Sequence, residues 1–370
     1  MPITFISPAN PSEMDPGIWS HLPEELLDHI LCFLPLKVIF NLRSTCKRFK
    51  TLVFEPSFIS KYYSTSPSSA SPLSSFLLLS HPQFHTHFLL YESILGSWRK
   101  LSLSLNPFVP SSSLLSTSNG LLCFSLPSSS SFLVCNILSK SSRVVEFPKL
   151  PFSFEFITLI SSNNGFKLFI IASGSSSNCA YIYKSKSESW RQFDGFGQIL
   201  SDNYHQPAVC RNDCLYFTTS DPASVVCFDL ESGHWRAPIA ELPSELTFMR
   251  LVSDGKGRLF LIGGVGRNGI SRYLKLWELG NGGENWLEVE TMPDMMYRKF
   301  VSVCYHNYEH VYCFWHQGLL CIGCYTWLEI LYYRVARRTW HWLPKCPSLP
   351  ENWRCGFRWF SFAPELCASV

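Results

Sequence analysis

The sequence predicts an α+β multidomain protein: a small N-terminal helical module followed by an all-β six-bladed propeller closed by the C-terminal strand. Three observations predict it. Strong helical spacing of apolar residues is confined to the first sixty or so residues. After that, a strand–turn–strand unit with a late Trp recurs at intervals of about fifty residues, the mark of a propeller. The first unit is one strand short, and the C-terminus holds one strand too many.

Composition fits this architecture. The chain has 370 residues, enough for two domains. Hydrophobic residues make up 46%, aromatics 15% and charged residues only 16%. β-Branched and aromatic side chains suit many short, half-buried strands. A formal net charge of +3 and the lack of any long like-charge run give no nucleic-acid surface. The most apolar stretch, 310–333, is interrupted by His310, His316, Gln317 and Glu329. It reads as core strands and not as a membrane span. Residues 1–17 read as an extended tail without the basic and apolar regions of a secretory signal. Fifteen Cys without framework spacing point to free, mostly buried thiols and a reducing compartment, cytoplasm or nucleus.

Residues 18–63 form the helical module. Leu22, Leu26, Leu27, Ile30, Leu31 and Leu34 recur at helical spacing. Pro23 suits a first turn, and Glu24 and Glu25 suit the positive end of the helix dipole. Pro35 stops that helix. A second run puts Leu42, Cys46, Phe49, Leu52 and Val53 on one face, with Lys47, Arg48 and Lys50 mostly opposite. This is more apolar surface than about forty residues can bury internally. The module is either a cap on the following domain or a docking element.

The stretch "LPEELLDHILCFLPLKVIFNLRSTCKRFKTLV" resembles an F-box. Leu22, Pro23, Leu34, Pro35, Arg43, Cys46 and Lys47 stand at matching places, and Phe49 replaces the more usual Trp. The resemblance implies docking on a Skp-type adaptor protein, and through it on a cullin–RING complex. The implied contacts are Leu22, Pro23, Leu26, Leu27, Ile30, Leu31, Leu34, Pro35, Leu36, Arg43, Cys46 and Lys47, with basic residues facing an acidic adaptor.

Residues 64–75, "STSPSSASPLSS", are a Ser/Pro-rich linker. The propeller is expected over 76–366. Its markers are Trp98, Arg143 in place of a Trp, Trp190, Trp235, Trp286 and Trp340. Ahead of the last five hairpins lie the second strands "NGLLCF", "NGFKLFII", "NDCLYF", "GRLFLIGG" and "EHVYCFW". Ahead of those lie the leading strands "SLLSTS", "FITLISS", "PAVC", "FMRLVS" and "FVSVCY". The first unit has only "SFLLLS", "HFLLYES" and "WRKLSL", so "GFRWFSFAP" (356–364) is expected to complete it and remove two open edges. The region resembles the kelch-type propellers that accompany F-boxes in plants, although the double Gly of that class is clear only at Gly263-Gly264.

Sites for small-molecule chemistry are weak. His85 and His87 in "HPQFHTH" could pair on a strand face, but they fall at a hairpin turn. "CIGC" (321–324) lacks a second pair and reads as buried strand Cys. "GGVGRNG" (263–269) has no following helix to receive a phosphate and reads as the loop after a strand of the fifth blade. No metal or cofactor is expected. In a four-stranded blade the inter-blade connections and the middle hairpins share one face. There Tyr204, His205, Met295, Met296, Tyr297, Arg298, Trp353 and Arg354 are candidate contacts for a substrate protein. The expected function is a non-catalytic substrate-recognition subunit of a Skp–cullin–F-box type ubiquitin ligase. The alternatives are a propeller enzyme or small-molecule receptor, and a scaffold or transcriptional cofactor that uses the F-box without ligase assembly.

Overall fold

A computed structural model describes residues 21–65, 75–84, 87–102, 112–126, 130–148, 154–162, 165–172, 179–196, 206–236, 239–280, 282–283, 285–347, 349 and 355–370, excepting the side chains of 36, 37 and 63. Its contacts divide the chain into two compact units, 1–71 and 72–370.

The first unit holds four short helices, α1 (Glu24–Leu31), α2 (Leu36–Leu42), α3 (Lys47–Leu52) and α4 (Pro56–Thr65). Pro23 and Pro35 precede α1 and α2 in extended conformation, where a missing N–H costs nothing. The Cys46 thiol accepts the Phe49 amide at the start of α3. Leu31, Cys32, Ile39, Leu52, Val53 and Phe58 form the small core. Arg48 ties α3 to α1 through Asp28 (2.8 Å) and Glu24 (3.1 Å).

The second unit is six four-stranded antiparallel blades. Blade 1 contains β1 (Phe76–Ser80), β2 (His87–Glu92) and β3 (Ser97–Ser102). Blade 2 is β4 (Leu114–Ser118), β5 (Leu121–Leu126), β6 (Ser131–Asn136) and β7 (Ser141–Glu146). Blade 3 is β8 (Phe154–Ser162), β9 (Gly165–Ala172), β10 (Cys179–Lys184) and β11 (Ser189–Asp194). Blade 4 is β12 (Val209–Arg211), β13 (Cys214–Ser220), β14 (Ala223–Asp229) and β15 (Trp235–Arg236). Blade 5 is β16 (Leu246–Ser253), β17 (Leu259–Arg267), β18 (Ile270–Leu279) and β19 (Trp286–Thr291). Blade 6 is β20 (Val311–His316), β21 (Leu319–Cys324), β22 (Trp327–Arg334) and β23 (Thr339–Trp342). The last strand, β24 (Arg358–Phe362), pairs antiparallel with β1 from Phe76↔Phe362 to Ser80↔Arg358 and is the inner strand of blade 1. The ring is closed as the strand count requires.

Three local readings differ from the structure. "FVSVCY" is not a strand. It ends helix α5 (Asp294–Cys304), and the inner strand of blade 6 is Val311–His316. Pro293 and Asp294 start that helix, and Tyr297, Phe300, Val301 and Cys304 face inward at helical spacing. "GGVGRNG" is mostly strand, because β17 runs to Arg267 and only Asn268 and Gly269 turn. A Cβ on Gly263 would lie 2.9 Å from the Phe248 carbonyl oxygen, and one on Gly264 would lie 2.2 Å from the Ser271 hydroxyl. The double Gly therefore serves close strand approach.

The third difference concerns the Trp markers. Trp98, Trp190, Trp235 and Trp340 lie opposite Tyr91, Tyr183, Phe228 and Tyr333, each the penultimate residue of its blade's third strand. In blade 2 that place belongs to Cys135, whose partner is Ser142, not Arg143. Arg143 instead reaches blade 3, donating to the Ser185 carbonyl at 2.9 Å. The Trp residues seal seams between blades. Trp190 donates to the Glu146 carbonyl (2.8 Å) and Trp235 to the Asp194 carbonyl (3.0 Å), each at the outer strand of the preceding blade.

Side chains also stitch the inner strands together. Thr117 donates to the Ser361 carbonyl, while Ser116 and Ser118 accept from the Leu159 and Ser161 amides. His316 sits fully buried between the hydroxyls of Ser361 and Ser93. Beyond β24 the chain crosses to blade 2. There the buried Asn136 amide donates to the carbonyls of Glu365 (2.8 Å), Ala368 (2.9 Å) and, less closely, Leu366 (3.4 Å).

Candidate functional site

Helix periodicity puts residues four apart on one face. On α1 that face carries Leu26 and Ile30, continued by Phe33, with side chains 53%, 39% and 65% exposed. Val38 on α2 is also exposed. The stripe read from sequence is thus divided. Leu31 is buried in the unit's own core, and Leu22, Leu27 and Leu34 are half-buried. Leu34 also accepts from the Tyr62 hydroxyl through its carbonyl. Pro23, Pro35, Cys46 and Lys47 are exposed, and the Leu36 side chain lies outside the described set. Arg43 is half-buried, its guanidinium stacked over Phe54 (4.7 Å) and Phe40 (5.5 Å), which fits it for bracing helices. Phe33 and Val38 extend the outward face beyond the residues the motif suggested. Nothing in the spacing separates them from inward neighbours.

In the propeller, Tyr204, His205, Trp353, Arg354 and His85 lie outside the described residues. Met296 and Tyr297 are half-buried against the cluster joining blades 5 and 6, and the Tyr297 hydroxyl donates to the Ser271 carbonyl. Arg298 is exposed and paired with Asp294 at 2.8 Å. The side chains that project are Met295 (84% exposed) and Tyr305 (82%), at opposite ends of α5. Sequence reasoning missed Tyr305 because it took this segment for a strand. On the same blade, Ile270, Tyr273 and Leu287 are exposed.

The other motifs are placed as follows among the described residues. His81 is buried, bonded to the Cys355 carbonyl and accepting the Gln83 amide. Cys321 and Cys324 are buried free thiols, and desolvation pushes both above the ordinary thiol range.

Comparison with known proteins agrees with both units. Residues 19–61 match the F-box domain, and residues 92–313 match the KIB1-4 beta-propeller family. F-box/kelch-repeat protein At5g43190 of Arabidopsis thaliana is 49% identical over 98% of this chain and 91% of its own length. The chain belongs to the plant F-box/kelch-repeat family. More distant relatives include Protein UNUSUAL FLORAL ORGANS of Arabidopsis thaliana, 26% identical over 90% of this chain and 80% of that one. Protein ABERRANT PANICLE ORGANIZATION 1 of Oryza sativa subsp. japonica is 24% identical over 99% and 93%. In this F-box/kelch-repeat chain a strand diglycine stands in β17, and the outer-strand Trp holds the same place in blades 1, 3, 4 and 6, while Trp286 of blade 5 pairs instead with Leu279, the last residue of β18.

Proposed function

We propose that the chain is the substrate-recognition subunit of a Skp–cullin–F-box type ubiquitin ligase. The F-box docks on a Skp-type adaptor, and the propeller holds a target protein. Other subunits transfer ubiquitin, so this chain's contribution is proximity. The observation that carries the reading is the outward apolar face of Leu26, Ile30, Phe33 and Val38. Four large apolar side chains exposed on so small a unit are a docking surface. The exposed Lys47 and Lys50 of the same unit favour an acidic partner. On the propeller, Met295, Arg298 and Tyr305 of α5 are the residue types that anchor protein interfaces.

Co-purification of the full chain with a Skp-type adaptor tests the docking. Burying Leu26 and Phe33 fully from their present exposure is worth about 1–1.5 kcal/mol each. An Asp carboxylate at either place adds a desolvation cost of about 1–3 kcal/mol. Leu26→Asp with Phe33→Asp therefore weakens adaptor binding at least ~100-fold. Both side chains point outward, so the thermal unfolding of the propeller stays unchanged. Adaptor capture that survives the double change refutes the docking face.

A further inference from the structure

Three inner strands, β12, β16 and β20, and the residues beside them line a partly open pocket of about 150 Å³ at blades 4, 5 and 6. Its main walls are Pro207, Val209, Leu251, Val252, Phe314 and Trp315. Trp315 is fixed in place by stacking on Phe260, with ring centroids 5.8 Å apart. The polar side chains among the lining residues are Ser253 and the thiols of Cys210 and Cys313. Burial raises those thiols to about 11 and about 12, so both are neutral at physiological pH. None of the lining residues carries a charge.

The cavity is also preformed. Gln206, buried beside Pro207, donates to the Leu251 (3.1 Å) and Cys313 (3.2 Å) carbonyls and accepts the Cys313 amide (2.9 Å). One amide therefore fixes the approach to β12 against blades 5 and 6. Most of the wall belongs to paired strands, which resist collapse into the space. An apolar cavity of roughly this size accommodates a single benzene-sized ring.

We propose that this cavity is a binding site for one small, uncharged aromatic molecule. The site rests on the propeller alone and is independent of adaptor docking. The pocket's volume limits the size of the ligand, and its uncharged lining offers an anion or cation no partner. Bound ligand would occupy this pocket and leave the outward side chains of α5 free.

Ligand-observed NMR titration of the full chain with toluene, p-cresol and benzoate tests the site, with methyl-labelled protein mapping it. Toluene and p-cresol should saturate with Kd on the order of 1 mM or tighter. Shifts should be confined to the methyls of Val209, Leu251, Val252 and their contacts. Benzoate should bind at least tenfold more weakly. Trp315→Ala, which removes one wall, should weaken toluene binding at least tenfold. Absence of saturable binding, shifts centred elsewhere, or benzoate binding as well as p-cresol would each overturn the proposal. If Trp315→Ala fails to fold, the methyl map of the unaltered chain decides alone.

Discussion

Asn136→Asp should release the C-terminal segment from blade 2. The change keeps the acceptor oxygen that receives the Leu138 amide at 2.9 Å, so the local turn survives. It removes the donor that meets the Glu365 and Ala368 carbonyls at 2.8 and 2.9 Å and faces Leu366 at 3.4 Å. Two good neutral hydrogen bonds are worth about 2 kcal/mol together. A buried carboxylate against carbonyl oxygens adds repulsion, but the segment can relieve it by leaving. Detachment exposes Leu366, now 3% exposed, at about 2 kcal/mol. The loss is therefore capped near 4 kcal/mol. For a unit of this size that lowers Tm by about 8 °C. Hydrogen exchange should rise at residues 365–370 while β13–β15 on blade 4 keep their protection. Unchanged exchange at 365–370 together with a shift in Tm below about 2 °C would refute the reasoning.

Other perturbations follow from the same contacts. Gly120→Ala puts a methyl 2.7 Å from the Glu365 amide nitrogen, at a φ of +81° that L side chains rarely adopt; it should cost about 1–3 kcal/mol in chemical denaturation. His316 is held neutral, its pKa lowered by burial from 6.5 to about 4. Above pH 6.5 both folded and unfolded chains are neutral there, and the full stability is present. Between pH 6.5 and 4 the unfolded chain takes up the proton first, so about 3 kcal/mol is lost as pH falls, levelling off below 4. Urea midpoints for the native chain and for His316→Asn across this window should show a steeper acid decline in the native chain, and parallel curves would contradict it. Trp235→Phe removes the 3.0 Å bond to Asp194 but keeps ring contacts with Phe228 and Phe217, so it should cost about 1–2 kcal/mol against about 3–5 for Trp235→Ala.

Much of this fold is legible in the sequence because propeller blades repeat. The strand count alone demanded that residues near 356–364 return to blade 1, and Arg358–Phe362 does so. Periodicity failed where a short segment satisfied two periods at once. "FVSVCY" alternates like a strand, yet its apolar residues also continue the helical series begun at Met296 and Tyr297. Only the Pro293-Asp294 start favours the helix. Blade 2 was misaligned by one residue because Arg143 looked like the odd substitution. It aligns with Arg99, Arg191 and Arg236, and the small Ser142 is what replaces Trp. In the F-box, a stripe of Leu residues shows that a face exists, but not which members turn inward. Leu31 and Ile30 are sequence neighbours, one in the core and one outside it. The pocket at blades 4, 5 and 6 left no pattern in the sequence at all, since strands from three different blades build it.

The partner of Phe76 in the sheet is Phe362. A ribosome delivers these two residues at nearly opposite ends of the propeller's synthesis, 286 positions apart. The F-box helices complete their core from contacts within about forty residues and can fold as soon as they emerge. The first blade cannot. Its strand β1 presents an unpaired inner edge throughout elongation, during the time when such edges invite pairing with other chains. The two units therefore mature on separate clocks, and a nascent chain stalled before residue 358 would carry a finished F-box on an open, aggregation-prone ring.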